Sequence, residues 1–398
     1  MNWPILALAR LGLNDHVPRQ ENSPTNSMPG AISDNVCIRA SILSLVGGNS
    51  KGLGGIKVMQ PAASMSPHVV TWELTRACAL HCRHCRAKAV RQRDRLELSL
   101  TEMGPVLDDL ASYDGPPVLV FTGGDPLERE DLPEILEAAA VRKLHTAMAP
   151  SVTPRLTLDV LKTWRDLKVG SVALSLDGAT PKSHDGFRQS PGTFIKTMEM
   201  ARAVVSQGMR LQVNTSVGTY TKEELPAIGQ LVKALGVSSW EIFVVVPTGR
   251  AGLGEALTAP QIEAILRWIA EYSQTVAFRV TVVGAPQYRR VLDGTSPTSR
   301  RPPLREGRGF AFIDHQGFVY PSGYLPLKAG NVRYLGFQAI YREAPLMADL
   351  RDASLLKGPC GRCAWTLLCG GSRARAYAVT QDVFASDPGC LYAVEGVQ

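Results

Sequence analysis

No apolar run in the 398 residues reaches 18, the length a bilayer-spanning helix needs, so no transmembrane segment is predicted. A secretory leader is not expected either. The start, "MNWPILALARLGLNDH", has no basic stretch ahead of its short apolar one and no small-residue cleavage site after it. Cysteine is scarce, with eight in the chain, which excludes a small disulfide-dense scaffold. The two basic clusters, 83–95 and 300–308, hold no interleaved aromatics, so neither reads as an RNA-stacking face. The expectation is a cytoplasmic protein that meets neither membrane nor nucleic acid.

What is present is an ordinary globular composition, 45% hydrophobic and 20% charged, long enough for one large α/β domain and a smaller second one. The net charge of +7 favours anionic partners such as carboxylates or phosphates. The cysteines are unevenly placed: Cys78, Cys82 and Cys85 form one group, Cys360, Cys363, Cys369 and Cys390 another, and Cys37 stands apart. In a chain without an export signal, such clusters point to metal sites before disulfides. Cys37 reads as a buried or free thiol without a role.

Residues 1–65, rich in Pro, Ser, Asn and Gly, read as a poorly ordered tail with a short element near 36–46. A rhythm then begins. Apolar, β-branched runs at 69–75, 117–124, 145–151, 171–178, 210–217 and 240–246 alternate with helically spaced segments at 99–113, 156–167, 192–208 and 221–236. This argues for βαβ units and a parallel sheet, an α/β fold of partial (β/α)6 TIM-like barrel type over 66–284. A helix at 259–273 and a strand at 277–283 follow before the pattern breaks. Residues 285–308 read as a polar connector. A small C-terminal domain, 309–398, opens with a hairpin signal around "DHQG" and ends with the second cysteine group.

In "ELTRACALHCRHCRAKA" the spacing is C-x3-C-x2-C, directly after the first predicted strand. Two chemistries suit it. Three thiolates on one loop supply three irons of a [4Fe–4S] cube and leave the fourth iron open. Zinc, with Cys78, Cys82, Cys85 and one of His81 or His84, is the other. Arg83, Arg86 and Lys88 around them read as a solvated loop face.

A C-x3-C-x2-C motif after the first strand of a βα chain resembles the radical S-adenosylmethionine (radical SAM) superfamily. The resemblance implies a [4Fe–4S] cluster on Cys78, Cys82 and Cys85, SAM chelating the open iron, and reductive cleavage to a 5′-deoxyadenosyl radical that takes hydrogen from a substrate. His84 stands where the family usually has an aromatic. "FTGGDPL" resembles the family's Gly-Gly-Glu motif, so Gly123, Gly124 and Asp125 are implied beside SAM, the glycines letting the backbone approach it. "LSLDG" implies Ser175 and Asp177, "VNTSV" implies Asn214, and "HDGFR" offers Arg188 as a carboxylate clamp. No catalytic acid or base is assigned.

The C-terminal C-x2-C-x5-C, followed after twenty residues by Cys390, resembles SPASM or twitch auxiliary-cluster extensions. Ser322 and Ser372 stand where a full two-cluster extension would have cysteines, so one auxiliary [4Fe–4S] cluster on Cys360, Cys363, Cys369 and Cys390 is expected, with four-thiolate zinc as the alternative. A flavodoxin- or ferredoxin-type electron donor follows from the chemistry. The C-terminal segments look most like enzymes of haem d1 and alternative haem synthesis, which implies decarboxylation or oxidation of tetrapyrrole side chains. Maturation of a ribosomal peptide is the alternative reading, and a non-enzymatic zinc-bound nucleic-acid module the third.

Overall fold

The computed structural model describes residues 65–294 and 304–396. The expected tail up to residue 64, the element near 36–46, Cys37 and the middle of the expected connector lie outside the described residues.

Seven strands lie side by side, parallel and in chain order: β1 (Val69–Glu73), β2 (Val118–Thr122), β3 (Thr146–Met148), β4 (Ser171–Ser175), β5 (Arg210–Val217), β6 (Ser239–Val244) and β7 (Arg279–Val283). Helices α1 (Leu100–Ala111), α2 (Leu132–Val141) and α3 (Leu158–Asp166) fill the first three crossovers. Two helices, α4 (Pro181–Arg188) and α5 (Thr193–Ser206), share the fourth, and α6 (Leu225–Ala234) and α7 (Ala259–Ser273) take the last two. This is the expected TIM-like half-barrel, its seventh parallel strand lying at the additional strand expected at 277–283. Local sequence explains the helix starts. Ser99 and Glu102 form a reciprocal capping box on α1, with Glu102 N donating to Ser99 Oγ at 3.3 Å and Ser99 N to Glu102 Oε2 at 2.8 Å.

The stretch expected as a connector contains α8 (Tyr288–Asp293) and the short strand β8 (Arg305–Glu306). Beyond it, β9 (Gly309–Ile313) pairs parallel with β1, Val69 opposite Phe310, on the side away from β2. The free edge of β1 has unmet N–H and C=O groups, and β9 satisfies them. The anticipated hairpin is present, β10 (Phe318–Tyr320) running antiparallel to β9, with β11 (Gly330–Asn331) on its outer side. Five short helices complete the chain: α9 (Phe337–Glu343), α10 (Pro345–Arg351), α11 (Gly358–Arg362), α12 (Arg373–Thr380) and α13 (Leu391–Glu395). No helix among the described residues is long and apolar enough to cross a membrane.

The two faces of the barrel strands differ in chemistry. Along β5, Leu211, Val213 and Val217 are buried in the main core under the helices, whereas Gln212, Asn214 and Ser216 alternate with them and are only half-buried. β6 repeats the pattern, with Trp240, Ile242 and Val244 in the core and Glu241 and Phe243 opposite. Parallel strands packed on both faces read as continuous apolar runs. Here the inward face is polar instead. Gln212 Nε2 donates to Asn214 Oδ1 at 2.8 Å and to Glu241 Oε2 at 3.1 Å, and Thr281 Oγ1 donates to Glu241 Oε1 at 3.3 Å. Such a lining suits a chamber that receives a polar molecule.

Candidate active site

The first cysteine loop leaves β1 and folds back on itself: Cys78 N donates to Val90 O and Val90 N to Arg76 O, both at 2.9 Å. Cys78 and Cys82 are buried with Leu80, and Cys85 and Ala89 pack against them. The sulfurs already receive donors. Leu80 N lies 3.3 Å from Cys78 Sγ, Ala89 N 3.4 Å from Cys85 Sγ, and Arg188 Nη1 3.7 Å from Cys82 Sγ. Ser151 Oγ, on the loop after β3, lies 3.4 Å from Cys78 Sγ and donates to Gly124 O at 2.8 Å. Burial pushes the Cys78 thiol up to about 11, so this environment favours a thiolate only when a cation accompanies it.

Of the three residues expected on a solvated face, Lys88 is exposed and Arg83 half-exposed, but Arg86 turns inward. Arg86 Nη2 pairs with buried Glu73 at 2.6 Å and stacks 4.3 Å from the centre of the Phe312 ring on β9. His315, in the β9–β10 turn, meets the other Glu73 oxygen at 2.8 Å. Burial alone would raise the Glu73 carboxyl, but Arg86 and His315 hold it below its usual range. Arg250, after β6, donates to the Cys82 carbonyl at 3.0 Å and the Ala89 carbonyl at 2.7 Å. The loop is thus clamped from two other parts of the fold. Arg250, Ser151 and His315 carry no motif, and the sequence reading missed them.

The Gly-Gly turn sits at the end of β2 as expected, but its glycines answer a different need. Gly124 N donates to Thr75 O and Asp125 N to Ala77 O, both at 2.7 Å. A Cβ on Gly123 would collide with the Thr75 carbonyl, and one on Gly124 with the carbonyls of Arg76 and Ala77. The bare backbone is required by the cysteine loop itself. Asp125 is also turned inward, fully buried, accepting from Leu127 N at 3.2 Å, Ser151 N at 3.4 Å and Thr153 Oγ1 at 2.9 Å. Burial raises its carboxyl to about 6. Its oxygens are taken up inside the protein, so it holds the turn and the loop after β3 together and does not present a free carboxylate to a ligand.

Ser175 and Asn214 stand opposite each other in the β4–β5 register, both half-buried. Ser175 lines a pocket with Ser151, His184, Arg188, Thr193 and Thr197. Asp177 and Arg188 depart from expectation. They form a buried ion pair with each other, and Ser216 N donates to the second Asp177 oxygen at 2.6 Å. Burial works against both charges, yet each keeps the other ionised: the Asp177 carboxyl is held low, and Arg188 is held high by Asp177 and Cys82. Arg188 is thus held by a carboxylate of the protein and lies beside a cysteine sulfur, while its buried Nε has no partner. His184 Nδ1 accepts from Asp177 N at 3.1 Å, and burial together with Arg188 lowers the imidazole to about 4, so it is neutral at pH 7.

The second group brackets Ala374 and Val383 in the chain, which join Val246, Leu325 and Leu350 in a small separate core. Three of its sulfurs accept backbone N–H donors at 3.4 Å: Cys360 from Asp387, Cys363 from Trp365 and Cys369 from Gly371. Burial pushes the Cys369 thiol up to about 12, with Cys390, Asp387 and Cys360 close enough to raise it further. Burial, helped by Arg308 and Arg373, lowers the neighbouring Arg305 guanidinium to about 10. Ser372, where a further cysteine would stand, caps α12 through Arg375 N. Among the described residues, no three His, Cys, Asp or Glu side chains converge closely enough for a single metal ion. A four-iron cube asks less convergence, because it takes one ligand per iron. The donors fit such a group in both places: buried thiols, N–H groups aimed at sulfur, and adjacent cations.

The chain belongs to the radical SAM superfamily: residues 72–232 match the Radical SAM superfamily model, and the similarity continues well past them. It is 33% identical over 344 residues to the AdoMet-dependent heme synthase of Methanosarcina barkeri (strain Fusaro), covering 83% of this chain and 98% of that protein. It is 26% identical over 330 residues to the PqqA peptide cyclase of Granulibacter bethesdensis, covering 80% of this chain and 85% of that protein. The fold is shared with Streptococcus suis SuiB bound to S-adenosylmethionine, at a TM-score of 0.68 and 14% identity, over 82% of this chain and 78% of that one. Membership implies an enzyme that uses SAM and a [4Fe–4S] cluster, and it sets aside the non-enzymatic zinc module.

Proposed function

We propose that this chain modifies the acidic side chains of a tetrapyrrole, by decarboxylation or oxidation, in a haem-type biosynthetic reaction. The carrying observation is the 33% identity along 98% of an AdoMet-dependent heme synthase. A polar chamber and a charge of +7 agree with a polycarboxylate substrate. Cys78, Cys82 and Cys85 hold the [4Fe–4S] cluster. Gly123, Gly124, Ser175 and Asn214 border SAM. Cys360, Cys363, Cys369 and Cys390 hold a second cluster, and a flavodoxin- or ferredoxin-type protein is the donor. The cytoplasm is the fitting compartment, since all seven described cysteines are unpaired.

When bound, cluster and SAM supply the 5′-deoxyadenosyl radical. The rest falls to the chain's own side chains. Arg250 and Gly124 fix the cysteine loop against β6 and β2. Gln212, Asn214 and Glu241 offer hydrogen bonds in the chamber, and burial raises the Glu241 carboxyl. Tyr324, its ring 6.5 Å from that of Phe243 on the inward face of β6, brings a residue of the C-terminal region against the chamber wall.

The test is anaerobic incubation of the reconstituted chain with SAM, dithionite and an iron porphyrin bearing propionates, followed by mass spectrometry. Loss of carbon dioxide from the porphyrin, coupled to 5′-deoxyadenosine, is expected. An unaltered porphyrin, with modification of a precursor peptide instead, transfers the reading to the PqqA cyclase side of the comparison.

A further inference from the structure

The C-terminal cysteines are ringed by more buried positive charge than the protein itself neutralises. Arg305, Arg373 and Arg375 are 7%, 2% and 3% exposed, and the carboxylates beside them are Asp387 at 0% and Glu306 at 9%. Asp387 pairs with Arg375 at 3.1 Å through both oxygens, and Glu306 accepts from Ala374 N at 3.1 Å. Arg305 Nε, Arg373 Nη2 and Arg375 Nε are buried without a hydrogen-bond partner. Leaving such a buried, charged donor unmet is unfavourable. Three around one pocket call for an anion.

The donors adjoin the sulfurs. A Cβ on Gly371 would lie 2.6 Å from Arg373 Nη2 and 3.0 Å from Cys360 Sγ, so both atoms border the same glycine. Arg305 Nη1 donates to the Cys369 carbonyl at 3.3 Å. Arg375 holds Asp387, whose N–H is the Cys360 donor. Four thiolates on a [4Fe–4S] core form a net anion, and reduction adds one more negative charge. Nearby positive charge and N–H donors to sulfur therefore favour the reduced form. Around the first pocket the guanidiniums are more fully engaged: Arg188 pairs with Asp177, Arg86 with Glu73, and Arg250 donates to two backbone carbonyls, so that among the described residues Arg188 Nε is the one buried arginine donor without a partner there.

We infer that Arg305, Arg373 and Arg375 act as positioning residues that raise the reduction potential of the cluster on Cys360, Cys363, Cys369 and Cys390 above that of the Cys78–Cys82–Cys85 cluster. The inference rests on the proposed reading that the second pocket holds iron and sulfide. It makes the second cluster the place where an electron settles first.

The experiment is a reductive titration of the anaerobically reconstituted full chain, followed by electron paramagnetic resonance, with iron, sulfide and zinc measured on the same samples. In the wild type the second cluster is reduced before the first. Arg305→Gln should make its one-electron reduction about tenfold harder, about 59 mV, and leave the first cluster unmoved. Arg305→Lys should retain most of the potential. Arg373→Gln serves as the second variant should Arg305→Gln lose metal, with the same shift expected. Two intact clusters whose potentials ignore both variants overturn the inference alone. Zinc in the second pocket overturns the reading beneath it.

Discussion

The two cysteine groups share a ligand type and differ in what surrounds it. The first rides on a loop after β1, with Ser175, Ser151 and Arg188 bordering a pocket beside it. Of its guanidiniums, Arg188 is matched by Asp177, Arg86 by Glu73, and Arg250 is taken up by backbone carbonyls. The second is enclosed in a small region whose apolar core counts five buried residues, and arginines with unmet donors press on it. The comparison teaches that sulfur ligands alone do not set a cluster's task. Three thiols beside a pocket suit a cluster that binds a small molecule, whereas four thiols, two buried and two half-buried, among buried arginines suit one that accepts charge and staples a small region.

Glycine substitutions break the comparison most sharply, since each pocket depends on its own close approach. Gly124→Ala drives a methyl into the Arg76 and Ala77 carbonyls, and Gly371→Ala, at φ +69°, drives one toward Arg373 and Cys360. Each change should cost about 1–3 kcal/mol of local packing and empty only its own pocket. Gly124→Ala should abolish 5′-deoxyadenosine formation while the second cluster stays. Gly371→Ala should leave SAM cleavage running without product. Iron per chain and deoxyadenosine yield read both, and equal iron loss from both pockets in either variant would contradict the separation.

A smaller effect tests how the C-terminal region is fastened to the barrel. Glu102 caps α1 and meets Arg333 Nε at 2.8 Å; hydrogen bonds from Arg333 and Ser99 lower its carboxyl to about 2. Its folded value lies below the ordinary 4.5, so its contribution is present above that pH and fades as pH falls from 4.5 toward 2. The side chain is 41% exposed and solvent screens the pair, which limits Glu102→Ala to about 0.5–1 kcal/mol at pH 7. Urea unfolding at pH 7 and pH 3 should show the difference between wild type and variant shrinking at the lower pH.

Much of the barrel was readable from the sequence because short β-branched runs, polar turns and helical spacing recur locally, and both cysteine groups announced themselves by spacing. What escaped was long-range. The pairing of β9 with β1 joins residues some 240 apart, and no local pattern in "GFAFI" says which edge it will meet. Gly124 was read as letting the backbone approach a ligand, and nothing local says that the cysteine loop also needs that bare backbone. Asp125, Asp177 and Arg188 were placed in the right neighbourhood, but a sequence does not say whether a charge will find its partner in the protein or in a ligand. Arg86, in an apparently solvated basic run, was claimed by Glu73 and Phe312 from distant strands.

The most direct test of the central claim is anaerobic SAM cleavage by the reconstituted chain, comparing the wild type with the triple variant Cys78→Ala, Cys82→Ala, Cys85→Ala. The account predicts 5′-deoxyadenosine from the wild type under dithionite and none from the variant, which should keep the iron of its C-terminal pocket. Undiminished cleavage by the triple variant, or a wild type that takes up zinc and no iron, would contradict it.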